Sequence, residues 1–193
     1  IASEMDRNGG LITLQDLQAY RPVVRKPVHG NYRGYDIFSM SPPSSGGTHI
    51  VQILNILEGY DLSDMEPNSA DAVHLQAEAT KLAFADRYHH VGDPDRVEVP
   101  VSDLLEEDYA ASQRSRIDMN DTLTWPIETG LNETLGSDTD ADHTTTFHIV
   151  DHEGNAAAVT TSLGAEFLVV GGTGIHINNR MRMVSTEKGN PNQ

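Results

Sequence analysis

The 193-residue chain has no cysteine, which excludes a disulfide framework, a thiol nucleophile and a cysteine-ligated zinc. Aromatic residues are sparse at 6%, with a single Trp. No apolar run approaches the roughly 20 residues of a membrane-spanning helix, so no membrane span is expected in this segment. Positive charge is also scarce: Lys+Arg is 13 against Asp+Glu 29, a formal net charge of −16. A general nucleic-acid binder needs the opposite balance to meet phosphates, so nucleic acid is excluded as a partner. No charged-then-apolar leader is expected, because Ile1-Ala2-Ser3-Glu4 reads as the middle of a helix. The native compartment stays open, since secreted proteins can also lack disulfides.

Only Lys26, Lys81 and Lys188 are lysines, and Asp outnumbers Glu. Two readings fit such a surface: an ordinary acidic protein, or one adapted to high salt, where screening removes the self-repulsion of a large negative charge. If the adaptation is real, the unfolding temperature of the complete protein is expected to climb steeply with added salt. Differential scanning calorimetry checks this, and greatest stability at low ionic strength would refute it.

What is present is strongly patterned. Thr13 and Asp16 have capping-box spacing, with Leu14 and Leu17 on one face and Pro22 beyond the end. Val23 to Met40 reads as extended, a hairpin or two short strands broken by Gly30 and Gly34. Ser41-Pro42-Pro43-Ser44-Ser45-Gly46-Gly47 runs into a helix whose apolar row is Ile50, Ile53, Leu54 and Leu57, with Gly59 at the exit. A second helix runs from near Ser69 through Val73, Ala77, Thr80 and Phe84 to about Tyr88, its alanines allowing close packing. Gly92-Asp93-Pro94-Asp95 is turn chemistry, and Ser102 is expected to cap a helix running through Tyr109 to Ile117. Periodicity vanishes between Asn120 and His143, where an acidic, mobile linker is expected. Thr145 to Asp151 then alternates as a strand, His152-Glu153-Gly154-Asn155 turns, and Ala156 to Leu163 reads as a buried strand. Gly171-Gly172-Thr173-Gly174 reads as a flexible loop, and the tail from Ser185 is polar. Helices followed by strands predict an α+β fold.

Several motifs could carry chemistry. The Ser44–Gly47 loop could offer backbone N–H groups to an anion, but it lacks a P-loop lysine, so packing near a site is the better reading. Gly171–Gly174 lacks dinucleotide-binding spacing. His89-His90 with Asp93 and Asp95 has metal-ligand ingredients, yet adjacent histidines point apart, and a hydrated turn is preferred. Asn120-Asp121-Thr122 and Asn132-Glu133-Thr134 match a glycosylation sequon, a pattern frequent by chance. Thr144-Thr145-Thr146 opens a strand after the acidic linker. Three β-branched residues there suit a strand alone. They also suit an N-terminal nucleophile: cutting His143–Thr144 would free an α-amine, of pKa near 8, as the base a threonine hydroxyl needs.

In order along the chain stand Asn8-Gly9-Gly10-Leu11-Ile12-Thr13, Tyr32-Arg33-Gly34-Tyr35, the proline-rich loop and Ile53-Leu54-Asn55-Ile56-Leu57-Glu58. Ala83-Phe84-Ala85-Asp86-Arg87, Gly92-Asp93-Pro94-Asp95, His143-Thr144-Thr145-Thr146-Phe147, Asp151-His152-Glu153-Gly154-Asn155-Ala156 and Asn178-Asn179-Arg180-Met181 follow. Together they resemble the γ-glutamyltransferase (γ-glutamyl transpeptidase) family of N-terminal-nucleophile hydrolases, of which this chain looks like a central fragment. The resemblance implies part of an αββα sandwich, with helices in the first two thirds and strands after Thr144. Residues 1–143 would close the large-subunit region, the linker lying at about 120–143. Residues 144–193 would open the small-subunit region.

The resemblance also implies roles. Thr144 matches the nucleophile that first cuts its own precursor after His143. Ser162 matches a hydroxyl residue, usually Thr, that hydrogen-bonds the nucleophile. Gly164 stands where γ-glutamyl enzymes commonly carry a donor-contacting Asn. Arg180 and Met183 stand where those enzymes hold the donor's α-amino group with an acidic or amide residue and an Asp. No metal or organic cofactor is implied. The implied partners are a small γ-glutamyl or related amide substrate and the remaining parts of the large and small subunits. Family members are often periplasmic or extracellular. The main reading is a self-processing acyltransferase or hydrolase of γ-glutamyl amides such as glutathione. One alternative keeps the machinery but acts on a glutaryl-type or other carboxylate-bearing amide without the α-amine. The other is a non-catalytic homologue, against which the retained Thr144 argues.

Overall fold

The computed structural model describes residues 1–131, 143–164 and 168–177, in which one antiparallel hairpin lies among the helices and two antiparallel strand pairs follow them, an α+β arrangement. Two compact units divide them. One joins Ile1–Val24 to the described residues of 138–184, and the other holds the described residues from Arg25 onward to Leu131.

The second unit opens with a hairpin of β1 (Val28–Tyr32) and β2 (Tyr35–Ser39), Tyr32 opposite Tyr35. Its two-residue turn has positive φ at both positions, +51° at Arg33 and +86° at Gly34, which matches the right-handed strand twist. Asn31 accepts the Gly34 N–H at 3.1 Å, and the Arg33 N–H donates to Glu58 at 2.8 Å, tying the turn to the end of α3 (Gly46–Glu58). Gly30 does not break the strand as expected. It lies inside β1 opposite Ile37 because a Cβ there would overlap Val51 of α3. Gly47 likewise lets α3 start against the Met40 carbonyl, which any side chain would strike, so the Ser-Gly loop is a packing element here.

α4 (Ala70–His90) starts at Ser69, whose hydroxyl accepts the Ala72 N–H at 3.3 Å. Its alanines do bring helices close: Ile56 of α3 meets Ala79, Leu82 and Ala85 of α4, closed by Ile127. The deepest faces differ from the apolar rows seen in sequence. Ile50 and Val73 are exposed, whereas α3 buries Thr48, His49, Val51, Gln52, Asn55 and Ile56, and α4 buries Leu75, Glu78, Ala79, Leu82, Ala83, Ala85 and Asp86. Polar partners across the interface, described below, turn these faces inward. Glu78 is buried, where desolvation raises a carboxyl pKa. Lys81 at 2.6 Å and the Leu123 N–H at 2.8 Å outweigh that and hold it below the ordinary carboxylate range.

The single helix expected from Ser102 to Ile117 is two helices, α5 (Val101–Leu104) and α6 (Glu107–Arg114), and Ser102 lies inside the first rather than capping it. The break has a partner: the Leu105 carbonyl accepts from Asn55 Nδ2 at 3.1 Å instead of from a following turn. Arg114 of α6 donates to the Ile56 and Asn55 carbonyls at 3.0 and 2.9 Å, satisfying the end of α3 with a cation.

In the first unit, α1 (Ala2–Arg7) precedes α2 (Leu14–Ala19). Thr13 and Asp16 form the full expected capping box, with Asp16 N–H to Thr13 Oγ1 at 3.1 Å and Thr13 N–H to Asp16 at 2.8 Å. The strands are β3 (His143–Val150) paired with β4 (Ala156–Gly164), and β5 (Leu168–Val169) paired with β6 (His176–Ile177). The strand expected from Ala156 is present, and Ala156 to Val159 are exposed rather than buried among the described residues. The Gly171–Gly174 loop forms a turn: the Thr173 hydroxyl donates to the Val170 carbonyl at 2.8 Å and accepts the Ile175 N–H at 3.1 Å.

Candidate active site

The β3–β4 pair is organised by its turn. Asp151 accepts the N–H groups of Glu153 and Asn155, both at 2.9 Å, on one oxygen and Asn155 Nδ2 at 2.9 Å on the other. The Asn155 side chain, followed by backbone N–H donors, outweighs desolvation and holds the Asp151 carboxyl below its ordinary range. Gly154 supplies the positive φ of +86°. Asp-x-x-Gly-Asn is therefore a register-setting loop, and from it Val150 pairs with Ala156, Phe147 with Val159 and Thr145 with Thr161.

That register sets Thr144 directly opposite Ser162. A one-residue slip would oppose Thr144 to a neighbour of Ser162 and reverse every face of the strand. His143 pairs with Gly164 across a register shift between His143 and Thr144, which leaves one extra β4 residue at the bond expected to be cut. Four of the expected site positions are thus collected at one end of one ribbon. Arg180 and Met183 lie outside the described residues, as do Asn132 and the Gly136–Asp142 stretch.

The rival histidine site is not assembled. Among the described residues no group of three His, Cys, Asp or Glu could hold a metal. His89 and His90 end α4 instead of lying in a turn, and His90 Nε2 lies 2.8 Å from Thr129 Oγ1.

A buried carboxylate that the sequence reading missed organises the second unit. Asp86 is fully buried and accepts from Gln52 Nε2 at 2.8 Å, Gln113 Nε2 at 3.2 Å, Thr129 Oγ1 at 2.8 Å and the Tyr109 hydroxyl at 2.8 Å. Burial first, and then the Asp86 charge, push the Tyr109 phenol well above its ordinary range, so it remains a donor. The usable signal was polar residues at helical spacing, Gln52 and Asn55 within the apolar run from Ile50 to Leu57.

His49 sits beside this network, stacked on Phe84 at 5.0 Å between ring centroids. Burial, and then the Arg87 charge, lower its pKa from 6.5 to about 4, against an opposing pull from Asp86. A base whose folded pKa is depressed contributes fully above its unfolded pKa, and that contribution is lost as pH falls through the folded one. Stability is therefore expected to fall by at most about 3 kcal/mol from this group between pH 6.5 and 4. Thermal unfolding of the complete protein across that range checks it. His49→Phe should flatten the profile, and an unchanged slope would place the acid sensitivity elsewhere.

A family-wide sequence profile described as Gamma-glutamyltranspeptidase matches residues 1–193. The Glutathione hydrolase proenzyme of Escherichia coli (strain K12) is 46% identical over 195 residues, covering 100% of this chain and 33% of the relative. The Acylase ACY 1 proenzyme of Pseudomonas sp. (strain SE83) is 44% identical over 180 residues, covering 92% of this chain and 31% of the relative. Among solved structures, cephalosporin acylase from Bacillus halodurans superposes with a TM-score of 0.74 at 29% identity, over 99% of this chain and 34% of that one. The chain thus spans about a third of the length of the curated relatives it matches.

Proposed function

The chain belongs to the gamma-glutamyltranspeptidase family, and from that membership we propose that the complete protein is a self-processing threonine acyltransferase or hydrolase of γ-glutamyl amides such as glutathione. The observation that carries this reading is the direct pairing of Thr144 with Ser162. Opposed positions of an antiparallel pair have Cβ atoms about 4.5–5.5 Å apart, a span that two hydroxyl side chains can bridge.

In the processing step Thr144 Oγ attacks the His143 carbonyl carbon as the C–N bond breaks, and the nitrogen becomes the Thr144 amine. Water hydrolyses the resulting ester, leaving the His143 carboxylate and a free hydroxyl. In turnover that amine takes the Oγ proton as Oγ attacks the substrate amide, and the proton goes on to the leaving amine. Water or an acceptor amine then resolves the acyl-enzyme, returning the hydroxyl. Ser162 holds the Thr144 hydroxyl in the orientation for attack. No step calls on a metal or an organic cofactor. Residues 1–143 end the large subunit after this cut and residues 144–193 begin the small one, within an αββα sandwich completed by the remaining chain.

A second reading keeps these steps and changes the acyl group to one bearing a carboxylate without an α-amine. Arg180 and Met183 favour it, and the 44% identity to an acylase supports it. Mass spectrometry of the complete protein tests the shared machinery. A fragment beginning at Thr144, together with hydrolysis of a γ-glutamyl or glutaryl amide, is the expected result. An intact chain inert towards both amides would overturn it.

A further inference from the structure

Three polar atoms on neighbouring turns of α3 are closed from solvent and have no hydrogen-bond partner among the described residues: Thr48 Oγ1, His49 Nε2 and Gln52 Oε1. Their residues are 0%, 7% and 2% exposed, so no group from outside can reach them without opening the core. Helical spacing makes Thr48 and Gln52 neighbours at i and i+4, and His49 and Gln52 neighbours at i and i+3.

The polarity of each atom follows from its surroundings. Gln52 Nε2 donates to Asp86 at 2.8 Å, on oxygens that also accept from Gln113, Thr129 and Tyr109, so turning the amide round would set acceptor against acceptor and its oxygen stays the orphan. The His49 ring is neutral near pH 7, its pKa held at about 4 by burial and then by Arg87, so one ring nitrogen is a bare acceptor. Thr48 can supply a hydroxyl proton. The set therefore offers one donor and two acceptors.

We propose that one enclosed water molecule bridges Thr48, His49 and Gln52, accepting from Thr48 Oγ1–H and donating to His49 Nε2 and to Gln52 Oε1. A water with three such bonds matches the usual coordination of buried waters. It extends the Asp86 network through Gln52 into the first turns of α3. An ammonium or alkali cation could use the same oxygens, but the Arg87 charge that suppresses His49 protonation opposes a second cation there.

The bridge requires the His49 proton to lie on Nδ1, which 15N NMR of histidine-labelled complete protein reads directly. The expected result is the Nδ1–H tautomer at neutral pH, with a crystal structure of the complete protein showing one density peak at water-like hydrogen-bond distances from all three atoms. Thr48→Val should remove or weaken that peak while the Gln52–Asp86 bond persists. A Nε2–H tautomer, a peak with the scattering or coordination of a cation, or rotated side chains that satisfy one another without a peak would each overturn the proposal. The tautomer and the wild-type density decide the matter even if Thr48→Val does not fold.

Discussion

Replacing Thr144 by Ala in the complete protein is expected to leave one uncut chain and to lower amide turnover by a factor on the order of a million, the loss seen when a hydrolase is stripped of its nucleophile. The expectation rests on a single atom. Alanine keeps the strand and its backbone pairing with Ser162 but has no Oγ to attack the His143 carbonyl. Without that cut the position has no free amine, so the base vanishes with the nucleophile and the two losses are not separable by this variant alone. Thr144→Ser separates them: serine retains the hydroxyl, and processing should be slowed rather than abolished. Gel electrophoresis and intact-mass measurement read the cut, and kcat/KM for a chromogenic amide reads the turnover. Two chains from pure Thr144→Ala protein, free of contaminating protease, would remove Thr144 from the role. Ser162→Ala is the companion variant. A hydroxyl that orients the nucleophile should lower kcat more than it raises KM, with Ser162→Thr restoring it.

The parts of this molecule legible in its sequence are those decided by neighbours in the chain. The Thr13–Asp16 capping box, the start of a helix near Ser69, the strand break at Gly34 and the Asp151–Asn155 loop each depend on residues within four positions of one another. Sequence could therefore name them, and the last of them carries the Thr144–Ser162 register with it. The faces of α3 and α4 were legible only in part: Ile53 and Leu57 of the expected row do pack against the core, but the deepest positions gather about Asp86, whose partners Gln52, Tyr109, Gln113 and Thr129 lie 34, 23, 27 and 43 residues away. Apolar periodicity points to Ile50 and Val73, and a polar network far along the chain overrules it. The same holds for the break after α5, which exists because Asn55, 50 residues earlier, takes the Leu105 carbonyl. Gly30 misled for a related reason: a glycine in a strand can mark an ending or a close approach, and only the position of Val51 distinguishes them. For the candidate site, the proposed nucleophile and its proposed hydroxyl partner came from motif and resemblance together. Neither composition nor periodicity could have singled out Thr144 from Thr145 and Thr146.

On the second reading the complete protein is expected to turn over a glutaryl anilide in preference to the matched γ-glutamyl-p-nitroanilide, a result that would displace the γ-glutamyl reading, and the argument rests on Gly164, Arg180 and Met183. A γ-glutamyl donor carries an α-ammonium beside its α-carboxylate, and an ammonium removed from water needs a carboxylate or several acceptors around it. At the matching positions glycine offers no side chain, methionine offers a weak thioether acceptor, and arginine brings a second cation. Two unit charges about 5 Å apart repel by roughly 3 kcal/mol at an effective dielectric near 20, on the order of a hundredfold in discrimination. The guanidinium would instead welcome a carboxylate, in bidentate geometry where the approach allows. The opposing case is that Arg180 pairs with a neighbouring acid in a chain with 29 of them and never meets substrate. The ratio of kcat/KM values for the two anilides separates the cases. If Arg180 meets the donor, Arg180→Gln should move that ratio towards the γ-glutamyl compound, chiefly by relieving repulsion of the ammonium. If it is a surface ion-pair partner, the ratio should not move, and a wild-type preference for the γ-glutamyl anilide would leave glutathione-like amides as the donors.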